Sequence, residues 1–131
     1  PMPGRENLAA CYTLAIAAAR AYDLLVFDGV YNDIANAEGF AAESKQAKAF
    51  GFDGKTLIHP TQVEPCNTIF APPAEAVQQS RDVIAAFADP ANAGKGVLKV
   101  NGKMTELLHL AQAKRLVAVA EAIAAREAAN A

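Results

Sequence analysis

The feature that most constrains this chain is a pair of short strand-like runs on either side of one helix-patterned stretch, with no third run of the same kind. Leu24-Leu25-Val26-Phe27, closed by Asp28-Gly29, is continuously apolar, as expected of a parallel strand covered on both faces. Lys55-Thr56-Leu57-Ile58-His59 reads as the second strand, cut off by Pro60, which has no N–H to give a ladder. Between them, residues 36–50 have a helical pattern. Phe40, Ala41, Ala47 and Phe50 fall on one side, Glu38, Glu43, Lys45 and Lys48 are available to solvent, and Gly51 is a natural stop. Ahead of the first run, residues 8–21 hold seven alanines and read as a helix buried over much of its surface. Helix, strand, helix, strand is βαβ logic, so the expected class is α/β with parallel strands and a right-handed crossover. A parallel pair needs neighbouring strands and helices on both faces. The chain therefore reads as incomplete as a domain, its missing strands belonging to another chain or to the same protein.

After Pro60 the alternation stops. Pro65, Pro72 and Pro73 punctuate a connection, and a helix is expected over 74–88 with a proline-favoured first turn. Val97-Leu98-Lys99-Val100, Asn101-Gly102 and Lys103-Met104 carry the signature of a type I′ hairpin, too short to stand without something to lie on. A last helix is expected over 106–125, with Leu107, Leu110, Ala111, Lys114, Ala118 and Ala122 at helical spacing, fraying over 126–131. The division expected is 1–64 for the βα units and 65–131 for an extension of helix, hairpin and long helix.

Composition excludes some partners. A net charge of −2 leaves no excess of Lys and Arg for nucleic acid or anionic membrane. No apolar run approaches the roughly 20 residues needed to span a bilayer. Pro1-Met2-Pro3-Gly4 has neither a basic nor an apolar leader region, and the absence of Met at position 1 hints at an excised or processed segment. Cys11 and Cys66 have no CxxC or Cys/His spacing, which suits a reducing compartment. Both are read as buried thiols, and the chain as soluble and cytoplasmic.

Few residues bear chemistry. His59, at a strand end before a proline, is either a ligand contact or a histidine tying down its loop; the residues alone favour the second. Asp28 and Asp33 lie near a strand end, where carboxylates bind metal or act as bases, but Asp also favours turns and caps. Tyr31 lines a pocket or simply packs, and Lys55 is a phosphate contact or merely solvated. Gly51 and Gly54 make a turn pair, not a phosphate loop. His109 reads as a surface or boundary residue. Glu106, at the start of the last helix, reads as a carboxylate stabilised by the helix dipole.

Taken in order, Phe27-Asp28-Gly29-Val30-Tyr31-Asn32-Asp33, Ala37-Glu38-Gly39-Phe40, Gly51-Phe52-Asp53-Gly54-Lys55 and Ile58-His59-Pro60-Thr61-Gln62 resemble the citrate lyase β-subunit and malyl-CoA lyase family of HpcH/HpaI aldolase-like CoA-ester lyases. The resemblance runs on through Asn67, Phe70, Pro72 and Gly102-Lys103-Met104. It implies the C-terminal part of a TIM (β/α)8 barrel, its seventh and eighth strands, followed by a C-terminal extension. It also implies a Mg²⁺-dependent carbon–carbon lyase acting on the CoA thioester of a hydroxy acid, of the citryl-CoA, malyl-CoA or citramalyl-CoA type.

In the family the metal ligands and the catalytic arginine come from earlier strands, so the resemblance assigns no metal ligand in this chain, and the chain alone is expected to be inactive. It places Ile58, His59, Pro60 and Gln62 on the CoA side. It further implies a homo-oligomer, trimer or hexamer, in which the extension brings an acid to a neighbouring subunit's active site. That acid corresponds to Glu106, in Met104-Thr105-Glu106 where the family has aspartate, and Leu107-Leu108-His109 stands where Arg-Pro-His is usual. The alternatives are a non-catalytic oligomerisation or interaction fragment, and a related barrel aldolase acting on free keto acids.

Overall fold

The computed structural model describes residues 4–130. In chain order the elements are α1 (Ala9–Ala21), β1 (Phe27–Asp28), α2 (Ala37–Phe50), β2 (Gly54–Lys55), α3 (Val63–Phe70), α4 (Ala74–Ala88), β3 (Val97–Val100), β4 (Lys103–Glu106) and α5 (Leu107–Asn130). The chain is α/β and mostly helical. Two compact units divide between Ala71 and Pro72. The division point expected from sequence, 64/65, lies within α3.

In the first unit β1 and β2 pair in parallel, with Phe27 opposite Gly54 and Asp28 opposite Lys55. Backbone bonds from Asp53 N–H to the Val26 carbonyl (2.8 Å) and from Thr56 N–H to the Asp28 carbonyl (3.0 Å) flank the ladder. The crossover is α2. Asn36 caps it by accepting from Gly39 N–H, and Gly51 closes it in the left-handed region at φ 105°, where a Cβ is disfavoured. Ile16, Ala47 and Phe52 form the core, with Tyr12, Val26, Phe50 and Phe70 packed around them. Tyr12 meets Phe50 and Phe52 edge-on, with centroids 5.6 and 5.4 Å apart. At the other end of α1, the Arg20 guanidinium grips both Asp53 oxygens at 2.8 and 3.0 Å, and Asp53 Oδ2 accepts Val26 N–H. This clamp fixes the entry to β1.

Several expectations are corrected here. Both strands are two residues long, because each has a ladder partner on one edge only among the described residues. For the same reason the run before Asp28 is not covered on both faces: Leu24, Leu25 and Phe27 are 58, 63 and 58% exposed. Helix α1 packs one face against its neighbours and buries only Ile16, not much of its surface. Cys66 is buried, but Cys11 is exposed on α1. Residues 63–70, read as a connection, form α3, since Pro65 stands in its first turn, where the missing N–H would have had no helical partner.

In the second unit α4 has the bounds expected, entered from Pro73 with φ −61°. The hairpin pairs Val97 with Glu106 through Val100 with Lys103, and the turn places Asn101 and Gly102 at φ 48° and 79°, both positive as type I′ requires. Asn101 Nδ2 donates to Asp82 Oδ2 on α4 at 2.8 Å, so the hairpin lies on that helix, with Leu98 and Val100 buried. Glu106 belongs to β4, which moves the helix start to Leu107. Helix α5 then continues to Asn130 instead of fraying after Ala125.

Candidate functional site

Asp28 leaves β1 into a buried cluster of four charges. Its carboxylate is 2% exposed and accepts from Lys55 Nζ at 2.8 Å and from Arg5 Nη1 at 2.8 and 3.0 Å. Lys55 Nζ also donates to Glu43 Oε1 at 2.6 Å, and Arg5 Nε lies 3.5 Å from Glu43 Oε2. Two cations and two anions thus alternate, and among the described residues no buried side-chain nitrogen or oxygen lacks a partner. Burial pushes the Asp28 carboxyl up, but the Arg5 and Lys55 hydrogen bonds and the Lys55 charge outweigh it, leaving the group below its ordinary value. For Arg5, desolvation is outweighed by Asp28 and Glu43, and its pKa rises. The Arg5 guanidinium also stands over the Tyr12 ring at 5.2 Å. Both oxygens of this carboxylate are thus engaged by the two cations.

Beside this cluster a cleft of about 1,070 Å³ opens, lined by Arg5, Asp28, Tyr31, Asp33 and Glu43 among others. The loops after β1 and β2 leave from the carboxyl ends of two parallel strands, where open α/β sheets hold ligands. One side chain joins them. Gln62, 3% exposed, accepts Ile58 N–H on Oε1 at 3.1 Å and donates from Nε2 to the Tyr31 carbonyl at 3.1 Å. His59 Nδ1 accepts Thr61 N–H at 3.3 Å and lies 2.8 Å from Thr61 Oγ1. Nδ1 is thus turned toward Thr61, and Nε2 lies on the opposite side of the ring. Pro60 opens the single 3₁₀ turn of this segment, and Ile58 keeps 46% of its surface exposed.

Ile58, His59, Pro60 and Gln62 are therefore contiguous in the first unit with Tyr31 held beside them. Glu106 stands in the second unit, exposed at the end of β4, and its backbone N–H donates to His109 Nδ1 at 2.9 Å. Two residues of the buried cluster were not picked out in sequence, Arg5 and Glu43, the latter read as solvent-facing, and Lys55 was read as a phosphate contact or as merely solvated. Only the neighbourhood of Lys55 with Asp28 at two strand ends carried a signal. No three His, Cys, Asp or Glu side chains among the described residues are grouped to hold a metal ion, and no helix is long and apolar enough to cross a membrane. Among the described residues the side chains thus do not group to fit a Mg²⁺ site.

Residues 2–60 match the HpcH/HpaI aldolase/citrate lyase family. The chain is 45% identical over 123 residues to a (3S)-malyl-CoA thioesterase of Cereibacter sphaeroides, covering 94% of this chain and 43% of that protein. It is 37% identical over 110 residues to the citrate lyase subunit beta of Escherichia coli, covering 84% and 36%. The structure of CitE from Mycobacterium tuberculosis, in complex with magnesium, acetoacetate and coenzyme A, superposes with a TM-score of 0.69 at 28% identity, over 89% of this chain and 42% of that one. A citrate lyase from Burkholderia xenovorans shares the fold at 19% identity, with a TM-score of 0.73 over 92% of this chain and 37% of that one. The chain spans less than half the length of each. The motifs, the parallel strand pair and these relatives agree: residues 2–60 match the HpcH/HpaI aldolase/citrate lyase family, and the chain is similar over most of its length to a part of the proteins named above.

Proposed function

We propose that this chain is part of a Mg²⁺-dependent carbon–carbon lyase acting on the CoA thioester of a hydroxy acid, and that it supplies the last two βα units of a (β/α)8 barrel and the extension that follows them. The observation that supports this most is the joining of the two loops through Gln62, which holds the loop of Ile58 and His59 to the backbone of Tyr31, a residue that lines a wide cleft. On this reading Ile58 offers apolar surface to the CoA chain and His59 Nε2 a hydrogen-bonding partner for a CoA oxygen, with Pro60 and Gln62 completing the segment. Magnesium would polarise the keto-acid carbonyl when bound, and its ligands lie elsewhere in the longer protein. The exposed Leu24, Leu25 and Phe27 are the surface that further strands cover. Two unpaired cysteines fit a cytoplasmic setting.

A second reading is thioester hydrolysis, favoured by the identity to a malyl-CoA thioesterase. It relies on Glu106 as the acid delivered to a neighbouring subunit of a homo-oligomer. The test is a Mg²⁺-dependent assay of malyl-CoA, citramalyl-CoA and citryl-CoA, run on this chain and on a protein carrying the preceding strands. Cleavage by the longer protein and none by the chain is expected. Turnover by the chain alone, or none of the three cleaved by the longer protein, overturns the proposal.

A further inference from the structure

We infer that Gln62 is a positioning residue, a strut that sets the spacing of the two CoA-side loops without touching the ligand; this rests on the CoA reading of those loops. Three observations carry it. The side chain is 3% exposed, so little of it is left for a ligand to reach. Its Oε1 accepts Ile58 N–H and its Nε2 gives one hydrogen to the Tyr31 carbonyl, both at 3.1 Å. These partners lie 4 and 31 residues away, so one amide fixes its own loop and then ties it to the loop after β1. The groups left on the two loops are the His59 ring, whose Nδ1 meets Thr61, and Tyr31, which lines the cleft, whose backbone Gln62 holds and whose ring stands edge-on to Phe40 at 6.1 Å. Loosening the strut lets His59 and Tyr31 part, and a displacement near 1 Å is enough to lose the fit.

Two variants separate the bonds. Gln62→Met keeps the volume and removes both; Gln62→Glu keeps the acceptor for Ile58 N–H and sets an oxygen against the Tyr31 carbonyl. The readouts are amide hydrogen exchange at Ile58, measured without ligand, and the Kd for coenzyme A, both on the 131-residue chain. Expected are faster Ile58 exchange by roughly tenfold in the Met variant only, and CoA affinity about tenfold weaker in both. A merely structural role would lower the melting temperature and leave the Kd of the folded variants unchanged, which overturns the inference. Unchanged Ile58 exchange in the Met variant overturns it as well. A wild-type chain that binds no CoA overturns the reading of the loops and the positioning role together, whereas wild-type binding matched by both variants sinks the strut alone.

Discussion

Asp28 and Lys55 are register partners across β1 and β2, and Lys55 Nζ, with no side-chain surface exposed, donates to Asp28 Oδ2 at 2.8 Å. The strand pair is thus joined by a buried charge pair as well as by its ladder. Replacing Lys55 by Met leaves Asp28 with Arg5 alone and removes the cation between Asp28 and Glu43. Leaving a buried charge uncompensated costs about 3–5 kcal/mol where burial is complete, and Arg5 at 12% exposure still screens part of it, so a loss of about 3 kcal/mol is expected. Urea denaturation of Lys55→Met against wild type measures it. A loss within about 0.5 kcal/mol would show that the cluster behaves like a solvated surface network.

The same cluster sets an acid response. Asp28 titrates below its unfolded value of about 3.9, so its contribution is fully present above that value and is lost as the pH falls through the lowered folded value. Burial opposes this shift, and the Arg5 and Lys55 hydrogen bonds overcome it. Melting temperatures recorded from neutral pH down through the carboxylate range are expected to fall for wild type. Asp28→Asn starts lower and falls less steeply over the acid end of that range. Parallel curves would remove Asp28 from the acid transition.

How much of this was legible follows from how local each signal is. Helices α2 and α4 and the hairpin were readable because their punctuation lies within the elements or next to them: Asn36 and Gly51, Pro72-Pro73, Asn101-Gly102. His59 could be noticed by its expected place at a strand end, and the loop of Ile58, His59 and Pro60 could be singled out through the family resemblance, although β2 itself stops at Lys55. The charge cluster could not, since Arg5 meets Asp28 across 23 residues and Glu43 meets Lys55 from the face of a helix whose pattern shows only a polar position. Gln62 was legible as a member of its motif, but not as a strut, because its second partner is the Tyr31 carbonyl, and a backbone group leaves no mark on the sequence. The strand boundaries failed for another reason. An apolar run signals the capacity to be covered, and β1 has one strand partner among the described residues.

Gly39 sits in the first turn of α2, where a Cβ would stand 2.0 Å from the Tyr31 hydroxyl oxygen and 2.7 Å from the capping Asn36 Nδ2. Alanine there gains about 1 kcal/mol of helix propensity. Against this, the Tyr31 ring must leave its edge-on contact with Phe40, worth about 0.5–1.5 kcal/mol, and the cap is disturbed at about 1 kcal/mol. The expected balance for Gly39→Ala is a loss of about 1 kcal/mol, with a displaced Tyr31 ring. Thermal unfolding gives the first and the Tyr31 ring NMR signals the second. A stabilised variant with unmoved ring signals would show that Tyr31 does not rest on Gly39.

Glu106 separates two roles that a carboxylate at this place could play. It ends β4 immediately before α5, exposed, with His109 Nδ1 accepting its backbone N–H at 2.9 Å. As a charge at a helix N-terminus it stabilises α5 by about 0.3–1 kcal/mol, and that is all Glu106→Gln should remove from the isolated chain. In the longer protein the proposed role as the delivered acid requires more. Glu106→Gln should lower thioester hydrolysis at least tenfold while leaving the Kd for CoA unchanged, because the carboxylate would act on the reacting centre and not on the CoA chain. Glu106→Asp withdraws the carboxylate by one methylene, toward the length usual in the family, and a shift of order 1 Å is worth on the order of 100-fold in rate. Hydrolysis is therefore expected to rise in the Asp variant. Equal rates for wild type, Gln and Asp variants, with only the small loss of helix stability, would reduce Glu106 to the cap of α5.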